Sequence, residues 1–191
     1  MTAGLRIGLY GGSFNPPHDG HLHVSRVALR RLKLDRLWWL VTPGNPLKPD
    51  EDLLPLDRRL DLARELIDEP RIEATGVEAE LGTRFTVDTL RALKARSPAA
   101  RFVWIMGADS LGGFHLWRKW QEIAGLVPIA VIDRPGFTNR ALRGKAALAL
   151  GDYRLDESDA PLLADHLPPA WVFLHGPRSH QSSTAIRAGS R

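Results

Sequence analysis

Two histidines three residues apart open the most informative stretch of the chain, Gly11-Gly12-Ser13-Phe14-Asn15-Pro16-Pro17-His18-Asp19-Gly20-His21-Leu22. Positions three apart share a face of a helix, so His18 and His21 can both reach one ligand group. The glycine pair lets main chain approach a ligand closely, and free amides at a helix start attract anions. Phosphate is the natural guest. A turn followed by surface histidines would use the same residue types, but the joint spacing disfavours it. A zinc site from His18, His21 and His23 is also disfavoured, because residues two apart on a helix do not face each other. Neither G-x-G-x-x-G nor the GxxxxGK[ST] phosphate loop occurs here.

A second group of candidate anion ligands lies near the C-terminus, in Ser182-Ser183-Thr184-Ala185-Ile186-Arg187. Serine and threonine at a helix start either cap free amides or bind an anion, and Arg187 lies one turn beyond Ser183. Taken alone, a capped C-terminal helix is the preferred reading of this stretch. Between the two groups, Gly107-Ala108-Asp109-Ser110 follows an apolar run, and Asp109 could accept ribose hydroxyls or cap a helix. Thr86 could likewise be a ligand or a cap. Trp117, three residues from Trp120, reads by itself more readily as core.

The elements that position these residues follow from hydrophobic periodicity. Leu5–Tyr10 and Arg36–Val41 are short apolar runs stopped by Gly11-Gly12 and Pro43-Gly44, and both predict buried strands. Leu22, Val24, Val27, Ala28 and Leu32 recur at helical spacing, predicting a crossover helix from about Asp19 to Lys33. The alternation continues with helices at Pro55–Asp68, Phe85–Ala95 and Trp117–Ala124. Strands are expected at Arg71–Thr75, Phe102–Met106, Pro128–Asp133 and Trp171–Leu174. The expected fold class is therefore α/β, a doubly wound, mostly parallel sheet with helices on both faces. Ligands in such folds bind at the carboxyl ends of the strands, where the Gly11–His21 and Gly107–Asp109 loops fall. Residues 136–169, with a possible helix at Ala141–Leu150, are expected as a peripheral segment of one domain spanning 1–191.

Composition sets limits on function. The chain has 191 residues, 43% hydrophobic and 25% charged, an ordinary globular balance. With no cysteine it has no thiolate nucleophile or disulfide. No apolar run is long enough to cross a bilayer and the first residues do not resemble a secretion signal, so a cytoplasmic location is expected and no membrane partner. Arginine supplies 21 of the 26 basic residues, and the formal charge is +4. Anionic partners are weakly favoured, but no block of like charge and no nucleic-acid motif appears, so a nucleic-acid partner is not expected.

Gly12, Phe14, Pro16, His18, Gly20 and His21 match in register the GxFxPxHxGH signature of the adenylyl-transferring nucleotidyltransferase superfamily. The C-terminal stretch resembles that superfamily's ISSTxIR motif, with Gln181 in place of the first isoleucine. Over nearly its full length the chain is similar to bacterial nicotinate-nucleotide adenylyltransferase. Arg84-Phe85-Thr86-Val87-Asp88-Thr89-Leu90 resembles that family's [SY]-[YF]-T-x-D-T-L segment, and Phe114-His115-Leu116-Trp117-Arg118 its tryptophan context. The loop after the second strand departs, reading Asn45-Pro46-Leu47-Lys48 where the family has Pro-Pro-His-Lys, with Lys48 kept in register.

The resemblance implies a Rossmann-like nucleotidyltransferase fold and adenylyl transfer from ATP to nicotinate mononucleotide, with Mg²⁺ carried by ATP and no resident metal. It implies His18, His21 and Arg187 as catalytic residues. Gly11, Gly12, Ser13, Phe14, Lys48, Gly107, Asp109, Ser183 and Thr184 are implied at ATP, and Thr86, Asp109, Trp117 and Arg118 at the mononucleotide. Phosphopantetheine adenylyltransferase, and a nucleotide sensor without turnover, are the alternatives. Neither residues nor resemblance specify the oligomeric state.

Overall fold

The computed structural model describes residues 4–44 and 52–176. Six parallel strands form one sheet: β1 (Arg6–Gly12), β2 (Arg36–Val41), β3 (Ile72–Thr75), β4 (Arg101–Gly107), β5 (Ile129–Ile132) and β6 (Trp171–Leu174). Their order is β3-β2-β1-β4-β5-β6. The chain winds outward from β1 to β3, then returns to place β4 on the other side of β1. That reversal opens a crevice at the carboxyl ends of β1 and β4, where doubly wound sheets bind ligands.

Both faces of the sheet are covered, which is why its inner strands read as largely apolar runs, while the edge strand β3 alternates around an exposed Glu73. Alternate residues divide the core. Tyr10, Leu37, Trp39, Val103, Ile105, Ala130 and Val172 pack with α1 (Asp19–Arg31) and α2 (Leu56–Leu66) on one face. Ile7, Leu9, Leu40, Trp104, Met106, Val131 and Phe173 pack with α4 (Thr86–Arg96) on the other. The short helices α3 (Val77–Glu80), α5 (Ala108–Gly113) and α6 (Trp120–Leu126) complete the layers, with α6 against α4.

The expected elements differ from the structure in three places. The helix predicted from Trp117 begins at Trp120, because Phe114–Leu116 form a 3₁₀ turn and Lys119 takes a left-handed φ of 51°. The helix considered over Ala141–Leu150 is two short ones, α7 (Thr138–Leu142) and α8 (Lys145–Ala149), divided at Gly144, whose ψ of 154° is extended. Finally, α3 and α5 are too short to leave a periodic pattern. Residues 136–169 bury Ala141, Ala146 and Ala147 on one face of the sheet and Ala160, Leu163 and Ala164 on the other. The same stretch covers the β6 edge, where the Leu155 amide and the Trp171 indole exchange hydrogen bonds with the Trp171 and Leu150 carbonyls. Among the described residues, no helix is long and apolar enough to cross a membrane.

Candidate active site

β1 delivers the chain into the crevice, and the turn that follows makes the two histidines into the cap of α1. His18 is the N-cap, with extended φ −155° and ψ 167°. The Gly20 amide donates to His18 Nδ1 at 3.1 Å, and the His18 amide donates to His21 Nδ1 at 3.2 Å. Two of the orphan amides of the first turn are thereby satisfied by imidazoles rather than by the usual hydroxyl and carboxylate. Because both Nδ1 atoms accept, each neutral ring carries its proton on Nε2. The ring centroids are 3.9 Å apart. Burial, and then the Arg134 charge, lowers the His18 pKa to about 4, with Asp19 opposing. Burial, followed by the neighbouring His18 and Arg134, holds His21 well below the ordinary histidine range. The pair is thus a set of neutral N–H donors at physiological pH.

An aromatic floor supports them. Phe14 is 1% exposed and stacks on Trp39 at 4.8 Å, and its ring lies 4.6 Å from that of His21. The Trp39 indole donates to Ser25 Oγ at 2.7 Å, and Ser25 Oγ donates to the His21 carbonyl at 2.8 Å. The side chain of Phe14 therefore belongs to the core, which leaves its main chain as the part able to meet a ligand. Gly11 has the Trp104 ring against its Cα, since a Cβ there would lie 2.6 Å from that ring.

Across the crevice, β4 ends at Gly107 and α5 presents Asp109. Gly107 is required by close approach: a Cβ would stand 2.3 Å from Asp109 Oδ1 and 3.1 Å from Arg134 Nε. Arg134 Nη1 donates to Asp109 Oδ2 at 3.3 Å. The same guanidinium acts on Tyr10, whose pKa burial pushes up to about 12 against the opposing Arg134 charge. Arg134 was missed by sequence reasoning. The available signal was its place directly after the fifth strand, before Pro135-Gly136, in a doubly wound sheet whose loops at that end carry ligands.

Thr86 opens α4 and is half-buried. Trp117 is also half-buried, edge-on to Phe114 at 5.4 Å and to Trp104 at 6.1 Å. The exposed Arg118 guanidinium lies 4.5 Å over the Phe85 ring, with Asp88 at 3.9 Å, which ties the Trp117 turn to the start of α4. Gly11, Gly12, Ser13, His18 and His21 thus gather at the end of β1, with Gly107, Asp109 and Arg134 facing them. Thr86, Trp117 and Arg118 form a second group joined through Phe85. Lys48, Ser183, Thr184 and Arg187 lie outside the described residues. Among the described residues, no group of three His, Asp or Glu side chains is placed to hold a metal ion.

Comparison with known proteins agrees with this geometry. The model of the cytidylyltransferase-like family matches residues 9–189. A protein of Methylorubrum extorquens described as a probable nicotinate-nucleotide adenylyltransferase is 63% identical over 96% of this chain and 99% of its own length. One from Brucella abortus, described in the same words, is 55% identical over 96% of this chain and 94% of its own. The chain belongs to the nicotinate-nucleotide adenylyltransferase family. The fold of that family is also seen in the Plasmodium falciparum nicotinic acid mononucleotide adenylyltransferase complexed with NaAD, which superposes with a TM-score of 0.72 at 19% identity, over 96% of this chain and 83% of that one.

Proposed function

We propose that the protein transfers the adenylyl group of ATP to nicotinate mononucleotide, releasing pyrophosphate and forming nicotinate adenine dinucleotide for NAD biosynthesis. The observation that carries this reading is the imidazole pair capping α1 at the β1/β4 crevice, in a chain 55–63% identical to nicotinate-nucleotide adenylyltransferases along nearly its whole length. The nucleophile is a phosphate oxygen of the mononucleotide. A phosphate monoester has its second pKa near 6, so it is largely dianionic at neutral pH and needs no general base. What the reaction needs is alignment of two anions that repel each other and neutralisation of the charge that builds on the departing pyrophosphate.

The chain supplies both. His18 and His21 hold their Nε2 protons as preorganised donors to the triphosphate, and their Nδ1 bonds to main chain keep the rings from reorienting. Glycines 11, 12 and 107, with Ser13 and the main chain of Phe14, line the path of ATP. Asp109, oriented by Arg134, accepts ribose hydroxyls of either nucleotide. On the sequence pattern, Lys48, Ser183, Thr184 and Arg187 complete the phosphate clamp. Thr86, Trp117 and Arg118 serve the mononucleotide, with the indole against the pyridine ring. Mg²⁺ travels with ATP, held by phosphate oxygens and water, and offsets triphosphate charge when bound. We take residues 1–191 as one nucleotidyltransferase domain acting in the cytoplasm on small molecules.

The test offers purified protein, ATP and Mg²⁺ three acceptors in parallel: nicotinate mononucleotide, nicotinamide mononucleotide and phosphopantetheine. The expected product by mass is nicotinate adenine dinucleotide. Dephospho-coenzyme A as the main product, or ATP binding without pyrophosphate release, would overturn the reading.

A further inference from the structure

Arg59 stands in α2, outside every motif, yet it is 1% exposed and its guanidinium is committed to the active-site loops. Nη1 donates to the Ser13 carbonyl at 2.8 Å and to the Thr42 carbonyl at 2.7 Å. Nη2 donates to Pro43 at 3.2 Å, and Nε to Leu54 at 2.7 Å. One side chain therefore fastens the turn after β1, the turn after β2 and the entry to α2. Asn15 adds a second tie, donating to the Asp52 carbonyl at 2.7 Å and accepting from the Leu54 amide at 3.2 Å. A buried cation is unfavourable unless well solvated by the protein, and four carbonyl dipoles perform that solvation here. An apolar side chain of similar size would leave those carbonyls facing the core without donors.

The contact to Ser13 fixes more than a turn. In a trans peptide, C=O and N–H point in opposite directions, so holding the Ser13 oxygen on Arg59 turns the Phe14 N–H away from it. Among the described residues that N–H has no acceptor. Phe14 also has a φ of 47°, a left-handed conformation that a bulky residue keeps only when its surroundings impose it. Trp39 holds the ring and Arg59 holds the preceding carbonyl.

Resting on the reading above, we propose that Arg59 is a positioning residue for ATP: it shapes the Ser13–Phe14 peptide so that the Phe14 amide faces the triphosphate. The planar fork is essential to this role, because four carbonyls approach it from three chain segments and an ammonium cannot meet them in one plane.

The test compares the parent with Arg59→Lys and Arg59→Gln by calorimetric titration, using ATP with Mg²⁺ in one arm and nicotinate mononucleotide in the other, with thermal melting of each protein. The expected result is a folded Arg59→Lys protein that binds ATP about 10- to 100-fold more weakly and the mononucleotide within about twofold of the parent. Unchanged ATP affinity, equal weakening of both ligands, or loss of folded protein in both variants would overturn it, the last by making Arg59 a core residue. Binding of ATP is read without turnover, so a parent protein that binds ATP but makes no dinucleotide refutes the proposed reaction and leaves the role of Arg59 to its own result.

Discussion

The histidine pair was legible as a pair because its signal is local: both rings sit on one turn, so their spacing alone predicts that they lie side by side. Arg134 was not legible, since its meeting with Asp109 depends on the order of β4 and β5 in the sheet. The structure adds the charge state. An imidazole in the unfolded chain titrates near 6.5, whereas His18 in the fold titrates at about 4. Between those values the unfolded chain takes up the proton and the folded chain does not, so stability rises with pH across that window. The contribution is complete above about pH 6.5 and is lost as pH falls toward 4. His18→Gln should therefore show a shallower fall in Tm between about pH 6.5 and 5 than the parent, and identical slopes would contradict the neutral, buried assignment. Trp117 gives a second prediction at this scale. Half-buried and edge-on to two aromatic neighbours, it is expected to stack on the pyridine ring. Trp117→Ala should then weaken the mononucleotide by about 1–3 kcal/mol while the KM for ATP stays level. A loss of about 3–5 kcal/mol of folding stability, with both substrates affected alike, would show a core residue instead.

At the scale of elements, the inner strands were legible because a sheet covered on both faces needs continuous apolar runs, whereas the edge strand β3 alternates, with Glu73 exposed between Ile72 and Ala74. The first helix was legible because one apolar stripe runs its length, although it ends at Arg31, two residues short of the expected Lys33, which has a left-handed φ of 52°. The Trp117 turn was not, since a left-handed lysine leaves no trace in hydrophobic spacing. The bond between α1 and β2 was equally hidden: Ser25 reads as an ordinary polar position, but it is fully buried and relays a hydrogen bond from Trp39 to the His21 carbonyl. Ser25→Ala would strand a buried indole N–H, so we expect a loss of about 1–3 kcal/mol in urea unfolding. A change under about 0.5 kcal/mol would mean that the relay adds nothing to stability.

For the whole molecule, a sequence of strands and helices implies a parallel doubly wound sheet but not which strands adjoin. The order β3-β2-β1-β4-β5-β6 is what brings the end of β1 against the end of β4, and with it His18 and His21 opposite Asp109 and Arg134. Residues 136–169 read as a peripheral segment because a charged, proline-bearing stretch interrupts any hydrophobic period, and in the structure Ala141, Ala146 and Ala147 pack on one face of the sheet and Ala160 and Ala164 on the other. The central claim is that this crevice moves an adenylyl group by presenting fixed, neutral imidazole donors to ATP. The most direct measurement is the kcat for nicotinate adenine dinucleotide formation by His21→Ala against the parent, at equal concentrations of folded protein judged by melting. The account predicts a folded variant slower by about 10²–10³, the scale for losing one preorganised donor to a transition state. Turnover within a fewfold of the parent by a folded His21→Ala protein would contradict it.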